Sequence, residues 1–397
     1  MTSVDSQPSA ATGPSAAKVL PGFLLSGFLF ALLGAVLPAW GYYRDPPHFV
    51  TIGNYFLSLA VGVIAAIWVS ARILERKGTR FLLVFACAMG CAGLVSLALV
   101  PAVAHWLWRV PGLAALGLSV GLLNAGLLQT VAQIYARDTI RAIALGGICY
   151  GVGCLAVTLL VAGTFYAYTV PVILILMALA PAIFGGVYAR MNVRDEPVPT
   201  PADIRQTLRD FRSLGAILFA LLLFFQFGNE WSLAGWLPLF LVRRLGISPP
   251  ASLGMLALFW IALLVGRVAA VAILPKVPHG RLLGVSVLAA LFGCLVLEMT
   301  NNLFGAGTGI LLLGGGFASI YPLVAEKIGR RFPYYSPVVF SGIFSFALFG
   351  GLIAPATLGY AAAIWDIGIV VALPLLGTCM VFALLGLIWL ESKVTGR

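Results

Sequence analysis

The sequence predicts an all-α membrane protein with twelve transmembrane helices in two pseudo-symmetric six-helix halves. Three observations predict it. Hydrophobic residues make up 61% of the 397 residues and charged residues only 9%, with a mean hydropathy of +1.05, where a soluble globular chain carries about 25% charged residues. Apolar runs recur between charged or Pro/Gly-marked breaks, each near the roughly 20 residues that a helix needs to cross a hydrocarbon core about 30 Å thick. A polar stretch at 191–212 then divides twelve such runs six and six. This composition excludes a soluble enzyme, a disordered protein and a secreted disulfide scaffold.

Residues 1–18 are rich in Ser, Ala, Pro and Thr and lack the charged start and apolar core of a cleaved signal, so they read as a disordered cytoplasmic tail. The N-terminal half, 19–190, holds spans at 20–42, 51–74, 80–104, 110–135, 141–166 and 168–190. The linker 191–212 follows. Its Pro cluster marks a connector, and ADIRQTLRDF has the pattern of a short amphipathic helix on the membrane surface. The C-terminal half, 213–397, holds spans at 213–242, 250–274, 281–299, 303–326, 335–362 and 367–391. Barrel strands would be about ten residues long and alternate in polarity; these runs do neither. Two six-helix halves joined by a linker imply parallel repeats around a central cavity.

A net charge of +11 would suit a nucleic-acid binder if the basic residues lined one face. Here they come in short bursts between apolar runs. Nineteen Lys and Arg fall on the side that carries both termini, four (Arg44, Arg109, Arg243 and Arg244) on the other, and Arg267 inside a span. The positive-inside rule puts both termini in the cytoplasm. The six cysteines lie in apolar segments without metal-ligand spacing to any His, as small packing hydrophobes do. No metal, cofactor or nucleic-acid partner is expected. The setting is the lipid bilayer of the inner or plasma membrane, and the chain is read as a monomer.

Between spans 2 and 3 the sequence reads ARILERKGTRF. This resembles the loop signature of the major facilitator superfamily, G-x-L-x-D-R-x-G-R-R: Glu75 stands at the Asp position, and Arg76, Gly78 and Arg80 match. Ala71 replaces the first Gly and Thr79 a basic residue. The physical need is a tight turn at Gly78 whose charges can lock neighbouring helix ends; a simple positive-inside burst would look similar. Span 7, FFQFGNEWSLAGWLPLFL, resembles the fucose/glucose–galactose permease branch, with Gly228, Glu230 and Trp236 at its spacing. Echoes recur from Phe259 to Arg267, from Leu311 to Pro322 and from Gly350 to Tyr360. The resemblance implies a transporter working by alternating access. It also implies coupling carboxylates in spans 1 and 4, and here the chain departs: span 1 has no acid, and span 4 has Asn124, Gln129 and Gln133. Either Glu230 alone couples transport, or another ion does, or transport is uncoupled.

Glu230 lies near the middle of span 7, where a charge costs roughly 2.5–3.5 kcal/mol even on the lenient insertion scale. It must face a wet cavity or a partner. Gln226 lies one turn before it, with Asn229 and Trp236 close in azimuth. An acid, two amides and an indole on one stripe suit a sugar, whose hydroxyls need acceptors and whose ring faces stack on aromatics. The alternative is a protonated glutamic acid bonded to a neighbouring helix. Arg267, late in span 8, is permanently ionised. It can pair with Glu230, neutralise an anionic substrate or latch a gate.

Asn124 and Gln129 point about 140° apart on a helix, so span 4 cannot offer both to one ligand. Interhelical hydrogen bonding explains each equally well. Asn54, Tyr150 and Tyr321, the last following Gly314, Gly315 and Gly316, complete the candidates. Glu75, Arg76, Gly78 and Arg80, with Arg137, Asp138 and Arg141 from the next inner loop, form a candidate cytoplasmic gate. There is no Walker loop, no HExxH helix and no paired intramembrane aspartates, and all three His fall in loops. The expectation is therefore not an enzyme. It is a secondary or facilitative transporter of a small polar solute, first of all a monosaccharide, with a proton or sodium ion as candidate co-substrate. A carrier of organic anions or an exporter of amphipathic compounds is the alternative.

Overall fold

In a computed structural model of the chain, the described residues are 16–101, 104–134, 139–191, 214–273, 277–331 and 337–394. Among them no strand occurs. Eleven continuous helices are long and apolar enough to cross a membrane. One of these, Phe49–Leu99, has 51 residues, about 76 Å at 1.5 Å per residue and more than twice the hydrocarbon thickness. It bends at Gly78, where φ 76 and ψ 176 are open to a residue without Cβ. Its arms are α2 (49–77) and α3 (79–99).

The arms run antiparallel, as their shared neighbour α4 shows. Positions 112 and 126 of α4 face Leu97 and Leu83 of α3 in reverse order, whereas 117 and 121 face Leu59 and Val63 of α2 in the same order. The other helices are α1 (Ala16–Ala39), α4 (Val110–Ile134), α5 (Thr139–Thr164) and α6 (Val170–Ala189). Then follow α7 (Leu214–Leu245), α8 (Pro249–Ile273), α9 (His279–Met299), α10 (Leu303–Arg331), α11 (Pro337–Trp365) and α12 (Ile369–Val394). The twelve expected crossings are thus present. α1 begins at Ala16, inside the segment expected as tail. The linker residues 192–212 lie outside the described residues.

Helix pairing repeats with a shift of six. α1 packs on α5 as α7 packs on α11; α2 and α3 pack on α4 as α8 and α9 pack on α10; α3 meets α6 as α9 meets α12. This is the pseudo-symmetry of two six-helix halves. Lipid gives helices no hydrophobic drive toward one another, so close approach rests on small residues and interhelical hydrogen bonds.

The halves meet along α1–α7, α2–α11 and α5–α8. On the face opposite the termini this seam is tight. A Cβ on Gly34 would stand 2.6 Å from the Ala234 carbonyl, and one on Gly53 2.8 Å from that of Ala356. Arg243 of α7 forms a 3.1 Å ion pair with Asp45 from the α1–α2 connection. The Tyr360 hydroxyl of α11 donates to Asn54 of α2. Among the described residues no ion pair joins the halves on the terminal face.

Candidate functional site

The α7 segment from Gln226 to Trp236 crosses mid-bilayer beside the seam. All four stripe residues are buried: Gln226 at 0%, Asn229 at 3%, Glu230 at 4% and Trp236 at 0% exposure. Their surroundings separate them into two kinds. The Asn229 amide donates to Thr378 of α12 at 3.3 Å and lies against Gly377. The Trp236 indole donates to the Pro355 carbonyl of α11 at 2.9 Å, and its ring stacks 6.0 Å from Phe56 of the other half. Both side chains are occupied with helix packing.

Glu230 and Gln226 are placed differently. The Glu230 carboxylate stands 3.6 Å from the Arg267 guanidinium on α8, an ion pair too long for a hydrogen bond. Arg267 donates instead, at 2.7 Å, to the Gly147 carbonyl of α5 in the other half. One guanidinium thus touches both halves. Neither polar atom of the Gln226 amide has a partner, and the same holds for the Arg267 Nε, the Trp260 Nε1 and the Ser232 Oγ. These groups belong to α7 and α8. Buried polar groups are nearly always hydrogen-bonded to protein or water, so the Gln226 amide, one turn from Glu230, has unmet hydrogen-bonding capacity.

Aromatic rings surround the pair. Trp231, next to Glu230, meets Phe30 of α1 at 4.4 Å and Tyr150 of α5 at 5.8 Å, both edge-to-face, and Trp260 of α8 at 5.9 Å. Tyr321 of α10 packs on Phe227 at 5.3 Å. Both Tyr150 and Tyr321 lie within electrostatic reach of Glu230 and Arg267.

The first half contributes less than expected. Asn124 accepts a 2.8 Å hydrogen bond from Ser26 of α1, inside its own half. Gln129 is half-buried further along α4. At the α2–α3 turn, Gly78 makes the bend and Arg80 donates to the Ala189 carbonyl of α6. Glu75 and Arg76 are exposed and form no ion pair among the described residues. Arg137 and Asp138 lie outside the described residues, as does the side chain of Arg141. The reading of the sequence missed Trp231, Trp260, Phe30 and Gly147. For Trp231 a signal existed, since an indole adjoining an intramembrane acid sits at the same depth.

The family model described as Major Facilitator Superfamily matches residues 112–355, more than half of the chain. The chain belongs to the major facilitator superfamily. Membership makes it a membrane transporter. No curated protein matches it in sequence. Among solved structures, a D-xylose–proton symporter is similar with a TM-score of 0.76 and 14% identity, covering 94% of this chain and 96% of that one. The nucleoside transporter NupG, as a single-site variant, gives 0.68 and 14%, covering 94% and 99%. The E. coli fucose:proton symporter FucP, also a variant, gives 0.63 and 13%, covering 94% and 98%. At these identities the likeness establishes the superfamily's fold over nearly the whole chain. It leaves the substrate to the chemistry of the site.

Proposed function

We propose that this transporter moves a small polyhydroxylated solute, in the first instance a monosaccharide, across the inner or plasma membrane by alternating access. The solute binds at the seam near Glu230 and Gln226. The Gln226 amide carries the reading: it is fully buried with both polar atoms unpartnered, one turn from a carboxylate that has no hydrogen bond among the described residues. Leaving such a group dry costs about 1–3 kcal/mol. Sugar hydroxyls both donate and accept, so one ring satisfies amide and carboxylate together. The similar carriers named for xylose, nucleosides and fucose all handle a sugar or a molecule containing one, which agrees with this chemistry.

The halves 19–190 and 213–397 act as the rocking bodies. With both termini cytoplasmic by the positive-inside rule, the sealed face is the outer one and the site is approached from within. The α2–α3 turn, with Glu75, Arg76 and Arg80, then closes the cytoplasmic side in the opposite state together with the next inner loop, which carries Arg137, Asp138 and Arg141.

One observation favours a second reading. The buried Nε of Arg267 has no partner and would suit a carboxylate, which points to an organic anion. A thermal-shift screen of the purified protein against monosaccharides, organic acids and lipophilic compounds separates the two. A shift with sugars supports the first reading; a shift confined to carboxylates replaces it with the second.

A further inference from the structure

From the aromatic geometry we infer that Trp231 is the stacking platform of the site and selects substrates with a flat, closed ring over open-chain molecules bearing the same hydroxyls. The inference rests on the monosaccharide reading and names the residue that would give it specificity.

Four observations lead there. First, Trp236, the indole that the sequence pattern offers for stacking, is closed to any ligand: its ring is fully buried and its N–H is held by the Pro355 carbonyl. Second, Trp231 is the residue directly after Glu230, is only partly buried, and lines a cavity at the seam with Phe30 and Gly34 of the first half and Gly351 of the second. Third, its fixed neighbours come from both sides of the seam. Phe30 and Tyr150 of the first half meet it at interplanar angles of 89° and 86°, and Trp260 of its own half at 52°. Edge-to-face partners orient an indole without stacking parallel on it. Fourth, Gly351 of α11 leaves room for the ring, since a Cβ there would stand 2.8 Å from the Trp231 Cδ1.

The Glu230 carboxylate is carried by the residue directly before Trp231. A ring with hydroxyls along its edges and C–H bonds on a face meets both surfaces: an edge to the carboxylate, a face to the indole. An open-chain polyol satisfies the first but presents no face, and it must also give up the rotational freedom of its chain.

The test compares purified wild type, Trp231→Phe and Trp231→Ala in proteoliposomes and by thermal shift. The probes are a panel of D-hexoses and D-pentoses and their open-chain reduction products, the alditols. In the wild type a cyclic sugar should bind more tightly than its alditol. Trp231→Ala should weaken the cyclic sugar about tenfold, equivalent to about 1.4 kcal/mol, and erase the preference. Trp231→Phe, which keeps a ring face, should retain both binding and preference and shows that the position tolerates substitution. Equal sugar binding by wild type and Trp231→Ala, or an undiminished ring-over-alditol preference in that variant, overturns the inference while leaving the sugar reading in place. If no sugar of the panel binds the wild type, the sugar reading fails and the inference with it.

Discussion

Arg267 donates a 2.7 Å hydrogen bond to the Gly147 carbonyl across the seam, from the same guanidinium that stands 3.6 Å from Glu230. Glu230 and Arg267 belong to neighbouring helices of one half, so rigid-body rocking leaves their separation unchanged. The bond to Gly147 crosses between halves, so it depends on how the halves stand to one another. The environment of Glu230 therefore changes between states through what Arg267 does.

Glu230→Gln keeps the shape of the side chain and removes its charge. Substrate affinity should fall by about tenfold or more, since hydrogen bonds to a charged acceptor contribute roughly 1.5–3 kcal/mol. Among the described residues the other acids of the helices lie toward helix ends, so any proton movement should not exceed one per solute and should vanish in this variant. Parallel measurement of solute uptake and internal pH in proteoliposomes checks both expectations. Two protons per solute, or undiminished proton flux in the variant, would overturn the assignment.

Arg267→Met should destabilise the protein more than the double substitution Arg267→Met with Glu230→Gln. Removing one partner of a buried ion pair leaves an uncompensated charge, at a cost of about 3–5 kcal/mol, whereas replacing both is often nearly neutral. Melting temperatures of the two variants in one detergent decide it. Equal losses would mean that the pair is electrostatically irrelevant.

Trp236→Phe and Trp236→Ala should lower thermal stability with little change in substrate affinity. The indole fills a fully buried site and its N–H is spent on the Pro355 carbonyl. Truncating a core aromatic to Ala costs about 3–5 kcal/mol. A large loss of affinity with unchanged melting would place Trp236 in the site after all.

Gly359→Leu should hold the sealed face open, because even a Cβ at this position would stand 2.5 Å from the Gly53 Cα. Arg243→Ala should matter far less. Its partner Asp45 is 83% exposed, and exposed ion pairs contribute about 0–1 kcal/mol. Distances between spin labels placed on the α1–α2 and α7–α8 connections give the readout: a longer population in the first variant and a small change in the second.

Arg109 anchors the α1–α2 connection from beneath. It lies 4.9 Å from the Trp40 ring and donates to the hydroxyls of Tyr42 and Tyr55 at 3.1 and 3.3 Å. Burial raises the Tyr42 phenol above its ordinary range, the Tyr55 hydroxyl adds to the rise and Arg109 opposes it. A phenol whose folded pKa is raised supports folding at lower pH and withdraws that support as pH climbs past its unfolded value of about 10. Stability should therefore decline above pH 10, and less steeply in Tyr42→Phe, in melting curves taken across that range.

What was readable beforehand follows from what lipid demands. Spans, their number and the bend at Gly78 are set by solvation and backbone geometry, and both leave marks in the chain itself: charge bursts, apolar lengths, a glycine where φ is positive. Glu230 and Arg267 stood out for the same reason, as charges where charges are costly. The stripe around Glu230 was only half readable. Azimuth groups Asn229 and Trp236 with it, yet Thr378 and the Pro355 carbonyl, from α12 and α11, take these two side chains away. Such partners come from more than a hundred residues off, and helical period carries no information about them. Trp231 is legible only as an indole adjoining an intramembrane acid; its neighbours Phe30, Tyr150 and Trp260 come from other helices.

The glycine-lined seam has one more consequence. Where Gly34 meets Ala234 and Gly53 meets Ala356 and Gly359, the halves touch through backbone and small side chains, with no buried charge to strip or solvate as they part. Contacts of this kind are individually tiny and vanish over a fraction of an ångström, so at these glycines the seal is held by fit, beside the Arg243–Asp45 ion pair and the Tyr360–Asn54 hydrogen bond. A carrier needs two arrangements of nearly equal free energy, since one favoured by several kcal/mol would trap it. A seal made of shape can be tuned in tenths of a kcal/mol, one methyl group at a time, and the turnover rate of this protein should be most easily altered there.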